Sequence, residues 1–267
     1  NAVRFAPLTA EQRFVALADG RIDVLWRNTS WTLSRDTGRD IIFAGVNYYD
    51  GQGFLVRRSL NLASAAELNG ARVCVQAGST TELNLRDYFT ARSLEYRPVV
   101  ARTEEEARGA YAREDCDAFA ADVSALAAAR TTLPNPQSHV LLPEVISKEP
   151  LGPVVRADDD EWAALTRWVL NAVILAEELG VTRANVESQA KESRDPRVRR
   201  LLGVEPGVGA AMGLSDRWAR DAIAAVGNYG EVFERNVGSQ SPLDLDRGLN
   251  AQWNASPPGL IYGLPVR

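Results

Sequence analysis

Histidine occurs once in these 267 residues, as His139, and cysteine twice, as Cys74 and Cys116. A Ser-His-Asp triad or a histidine-based metal site would have to use that one imidazole. It lies in the loop PNPQSH beside a strand and is most simply an exposed loop residue. No CxxC or HExxH spacing, no GxGxxG and no phosphate-binding glycine loop occurs, so we expect no metal, no cofactor and no catalytic residues. No apolar run approaches the ~20 residues of a membrane-spanning helix. The net charge is a mild −5, with no Lys/Arg-rich tract to meet nucleic acid. Internal repeats and low-complexity segments are absent, and NAVRFAPLTAEQRF lacks a signal-peptide layout.

What is present describes an ordinary globular protein: 45% apolar and 24% charged residues, in a length that makes one large domain or two lobes. Ala2–Phe5 reads as a strand, Thr9–Asp19 as a helix with Thr9 as N-cap and Gln12 at the capping-box position, and Ile22–Leu25 as a strand. Asp40–Gly45 and Gly53–Arg58 are further extended segments. A second cycle follows. Its strands fall at Arg72–Gln76, Tyr96–Val100, Ala118–Ala121 and Val140–Leu142, and its helices at Ser64–Leu68, Thr80–Thr90, Thr103–Ala112 and Val123–Arg130. Such alternation makes an α/β lobe with a parallel sheet. From Asp160 the chain is mostly helical, the first helix showing Trp162, Leu165, Trp168, Val169, Ala172, Val173 and Ala176 on one face. The expected division is therefore a first lobe of residues 1–58 and 151–267 and an inserted lobe of residues 59–150, joined by a hinge of two crossovers.

Three separated stretches carry the groups that a free amino acid needs. DVLWRNTSWTLSR ends in Arg35, VQAGSTTE opens a helix on a hydroxyl cluster, and DAFAADVS ends a strand on Asp122. Each group falls at the carboxyl end of an expected strand, where ligands of open α/β sheets sit. A guanidinium grips a carboxylate through two parallel hydrogen bonds. Ser79 and Thr80 at a helix N-terminus favour an anion, and Asp122 supplies the counter-ion for an ammonium. Each has a plainer reading: Arg35 as a solvated surface arginine, Ser79 or Thr80 as an N-cap, Asp122 as the cap of the next helix. Trp31, which interrupts a polar turn, is the aromatic expected to face the ligand; Tyr48 and Tyr49 read as side-chain lining or as core. Cys74 lies in the expected strand RVCVQ and Cys116 immediately precedes DAFAA; were those strands neighbours a disulfide would be geometrically possible, the plainer reading being two buried thiols.

NTSWTLSRD, VNYYDGQGF, VCVQAGSTTELNLRDYF, ISKEPLGP, VGNYGEVFERNVG and RGLNAQW, in that order, resemble the general L-amino acid-binding proteins of bacterial ABC importers, within the polar amino acid-binding family. The resemblance implies a type 2 periplasmic binding protein fold: two Rossmann-like lobes, a two-strand hinge and a helical C-terminal extension. It implies capture of L-amino acids for a membrane permease, with Arg35 as carboxylate clamp, Asn28, Ser30, Trp31, Ser79 and Thr80 as ligand contacts, and Asp122 for the ammonium. An oxidising periplasm would favour a Cys74–Cys116 disulfide. Lys148 and Glu149 fall at the return hinge. The family carries a strand and a helix before the position of Asn1, so the expectation is either that the molecule was cut or truncated, or that a swapped partner or a cleavage fragment supplies them. Dehydratases of small carboxylic acids share the fold and the clamp, and an enzyme of that kind would take its acid or base from Glu82 or Glu149.

Overall fold

A computed structural model describes residues 3–38 and 40–267. Contacts group the chain into two units: the segment up to Arg35 with Asp50–Leu151, and Asp36–Tyr49 with Gly152–Arg267. Within the first unit the Trp31 N–H donates to the Pro150 carbonyl at 2.8 Å, and Ser30 forms a bridge with Leu151.

The first unit is built on a five-stranded sheet in the order Arg97–Ala101, Arg72–Gln76, Ala118–Asp122, Gln52–Arg57, His139–Leu141. Gln52–Arg57 runs antiparallel to both of its neighbours, with Gln52 opposite Asp122 and Leu55 opposite Leu141. Arg72–Gln76 is parallel to both strands beside it. Alternation of period two divides the core. Phe54, Val56, Val73 and Val75 meet Leu85, Tyr88 and Phe89 on one face. Leu55, Cys74 and Phe119 meet Tyr111, Leu126 and Ala129 on the other. With both faces covered, AFAAD is buried throughout, as a central strand demands. The Cys74–Cys116 disulfide lies in the second cluster, with its Cα atoms 5.7 Å apart. His139 is also interior, contrary to the exposed loop residue expected. It opens a strand, is 8% exposed, and its Nδ1 lies 2.8 Å from the Tyr111 hydroxyl.

Helix starts follow their caps. Ser79 accepts from the Glu82 N–H at the head of Thr80–Ala91, and Thr103 accepts from Glu106 at the head of Glu104–Ala112. Thr9 and Gln12 exchange reciprocal 3.3 Å bonds before Gln12–Ala18. Of the strand expected at Ile22–Leu25 only a bridge at Leu25 forms. Of that expected over Ala2–Phe5, Ala2 lies outside the described residues and residues 3–5 make no strand.

In the second unit Ile41–Phe43 pairs antiparallel with Val154–Arg156. The long helix Asp160–Glu178 packs on Trp218–Val226 and Tyr229–Asn236. Its buried stripe is Ala163, Thr166, Leu170, Ile174 with Ala172, Leu175 and Ala176. Trp162, Leu165, Trp168, Val169 and Val173, expected to face inward, are only half-buried. Small residues let neighbouring helices approach, and the tryptophans cover the flank. Tyr48 stacks on Phe233, and Tyr49 packs on the cluster of Leu170, Ile174 and Tyr229, so both serve the core of this unit. Among the described residues no helix is long and apolar enough to cross a membrane.

Candidate ligand-binding site

Parallel strands bring Gln76 and Asp122 to one edge of the first unit's sheet, and the antiparallel strand begins at that edge with Gln52. The helix Thr80–Ala91 starts there, and the segment Arg27–Ser30 lies against it. Four of the seven ligand residues expected from sequence touch one another directly or through Glu149. The Asn28 side-chain amide donates to Asp122 Oδ2 at 3.3 Å. Ser30 Oγ lies 3.5 Å from Thr80 Oγ1, and both hydroxyls donate to Glu149 Oε2.

Asp122 is 6% exposed and heads the helix Val123–Thr132 without making a side-chain cap bond. The capping alternative therefore does not describe it. Burial pushes its carboxyl up to about 8, and the neighbouring Asp50 and Glu149 carboxylates push the same way, while the Asn28 amide opposes them. Asp50 is itself raised by burial, although the Ser124 hydroxyl and the Gly51 N–H both donate to it. The Asp50 and Glu149 carboxylates thus both bear on Asp122 at this edge.

Arg35 is 9% exposed. Its NH1 donates to the Ser30 carbonyl at 2.9 Å, and its guanidinium carbon sits 5.3 Å from the Phe14 ring centre. It joins the cluster through the Ser30 backbone. Ser79 is occupied locally, accepting from the Glu82 N–H and donating to the Gln76 carbonyl at 2.6 Å. Trp31 is 37% exposed, its backbone N–H fixed on Pro150.

Asn28, Ser79, Thr80 and Asp122 line a cavity of about 30 Å³, with Arg13, Arg27 and Gln76 among its other walls.

Sequence reasoning missed Asp50, Asn84 and Ser147 and read Glu149 as a hinge residue. Glu149 is 2% exposed and accepts from Ser30, Thr80, Asn84 Nδ2 at 2.7 Å and Ser147 Oγ at 2.8 Å. An isolated SKEP carries no periodic signal that would place its glutamate indoors. Among the described residues no cluster of histidine, cysteine, aspartate and glutamate is arranged to hold a metal ion.

No protein-family model matches the chain. Over 265 residues it is 51% identical to the glutamate/glutamine/aspartate/asparagine-binding protein BztA of Rhodobacter capsulatus, covering 99% of this chain and 78% of that one. Over 267 residues it is 51% identical to the general L-amino acid-binding periplasmic protein AapJ of Rhizobium johnstonii, covering 99% and 77%. A solved periplasmic binding protein from Brucella ovis with glutathione bound superposes with a TM-score of 0.96, at 53% identity, over 99% of this chain and 83% of that one. An ancestral arginine-binding protein, at 23% identity and TM-score 0.57 over 67% of this chain and 76% of its own, shares the fold.

Proposed function

The chain belongs to the amino-acid-binding periplasmic proteins of bacterial ABC transporters and has their type 2 periplasmic binding protein fold, and on that premise we propose that it captures free L-amino acids in the periplasm and delivers them to a membrane permease. Asp122 takes the α-ammonium. Arg35 and the backbone N–H groups of Thr80 and Thr81 opening the helix Thr80–Ala91 take the α-carboxylate. The observation that carries this reading is Asp122: a buried acid with no cap bond, held by the neutral Asn28 amide and lining a cavity with Asn28, Ser79 and Thr80.

Two observations favour capture over dehydratase chemistry. Glu149 already accepts from four donors, and Glu82 accepts from the Gly78 N–H at 3.2 Å. Both acids named for proton transfer are thus engaged in hydrogen bonds within the protein. Relatives named for several amino acids support broad acceptance, the side chain being held less closely than the zwitterion.

Calorimetric titration of the refolded chain with a panel of L-amino acids tests the proposal. Tight binding of several members without turnover is expected, with a loss of at least about 100-fold in Arg35→Ala, as befits losing a buried charged partner. Silence across the panel from a folded chain, or unchanged binding in that variant, would overturn it.

A further inference from the structure

Glu149 is held by more than its backbone. One carboxylate oxygen accepts from Ser147 Oγ and Asn84 Nδ2, the other from Ser30 Oγ and Thr80 Oγ1. Ser147 is fixed in turn, accepting from the Gln52 N–H at 3.2 Å. A hydroxyl has one proton and two lone pairs. Ser30 and Thr80 each commit that proton to Glu149, so what they turn toward any ligand is lone pairs, on two oxygens 3.5 Å apart.

We propose that Glu149 sets the hydrogen-bond polarity of this site, making Ser30 and Thr80 a seat of two acceptors that selects ligands bearing a primary ammonium and rejects carboxylic acids that lack one. The proposal rests on the amino-acid-binding reading and names a positioning residue for it. It also reassigns the two hydroxyls, which the sequence suggested as carboxylate donors. Two oxygens presenting lone pairs repel a carboxylate and accept from an N–H. Thr80, one of the two, borders the same cavity as Asp122, so an ammonium there is within the company of both the Asp122 carboxylate and the Thr80 hydroxyl. The carboxylate is left to Arg35 and to backbone N–H groups.

Glu149→Gln removes the charge behind both hydroxyls while keeping the shape. With L-glutamate as probe, we expect a Kd at least tenfold weaker with little change in melting temperature. Ser30→Ala is expected to weaken the wild type by five- to tenfold and to add nothing in the Glu149→Gln background, because the seat is already lost. Glutarate, the same skeleton without the α-nitrogen, is expected to be unaffected or improved in displacement assays. Thr80→Val, which keeps the backbone N–H, gives the same split should Glu149→Gln fail to fold. Multiplying rather than coupled effects of Ser30→Ala and Glu149→Gln, or wild-type glutamate affinity in Glu149→Gln, would overturn the proposal while leaving amino acid capture intact. Absence of binding to any amino acid by the wild type would remove both.

Discussion

Asp122 makes ligand binding depend on pH in a direction that can be worked out. Its carboxyl, pushed up to about 8 by burial beside Asp50 and Glu149, is protonated in most unliganded molecules at neutral pH. An ammonium needs the ionised form, and once bound it lowers the carboxyl again, so capture expels a proton. With a free-site value near 8, the apparent Kd tightens about ninefold from pH 6 to 7, about fivefold from pH 7 to 8, and less than twofold beyond, by mass action. About 0.9 proton leaves per ligand at pH 7 on the same arithmetic. Calorimetry of L-glutamate binding in two buffers of different ionisation enthalpy reads both quantities. Asp50→Asn removes one of the neighbouring charges and is expected to move the transition to lower pH. A Kd constant from pH 6 to 8 with no proton released would refute the reasoning.

The unliganded chain should respond in the opposite sense. Its folded state keeps a proton on Asp122 that the unfolded chain loses above about pH 4, so melting temperature falls as pH rises from about 4 to 8, and Asp122→Asn flattens that slope. Replacing both Cys74 and Cys116 by alanine reopens a loop of sequence separation 42, which costs about 4 kcal/mol in the chain-entropy account and lowers the melting temperature by about 10 °C. An unchanged melting curve would show that the bridge does not restrain the unfolded chain. Gly152→Ala places a methyl 1.8 Å from the Gly45 carbonyl oxygen, a backbone atom that has no side-chain freedom with which to yield. A loss of roughly 3 kcal/mol in denaturant unfolding is expected, and a neutral effect would mean the two segments separate easily.

Much of the first unit was legible because its signals are local. Caps at Ser79 and Thr103, the apolar runs RVCVQ and AFAA, and the glycine breaks each mark an element from its immediate neighbours. Thr80 and Asp122 were singled out because a hydroxyl and an acid at strand ends have a chemistry of their own, and Asn28 and Ser30 through the family resemblance; the structure brings Asn28 to Asp122 and Ser30 to Thr80. Glu149 and Asp50 escaped because what distinguishes them is their company, and Glu149's partners are separated from it by up to 119 positions. His139 was misplaced for a related reason: a proline-rich loop before it outweighed the Tyr111 hydroxyl 28 positions away that makes burial tolerable. On the long helix, counting large apolar side chains overstated the tryptophans, since alanines at close helix contacts give no hydrophobic bulk to count.

The one antiparallel strand of the five-stranded sheet leaves the start and finish of this fold segment side by side. The Gln52 N–H meets Ser147 Oγ, and the Ile146 N–H meets the Gln52 carbonyl at 2.8 Å. Residues 52–147 therefore form a loop of chain already closed upon itself, holding its own disulfide and all five strands of its sheet. Such a stretch is suited to being cut out, relinked or made as a fragment. It would carry Thr80 and Asp122 away while leaving Asn28, Ser30, Arg35 and Glu149 behind. Each charged end of one small ligand thus has proposed partners on both of two separable pieces of polypeptide, and an amino acid would act as the adhesive that rewards their reunion.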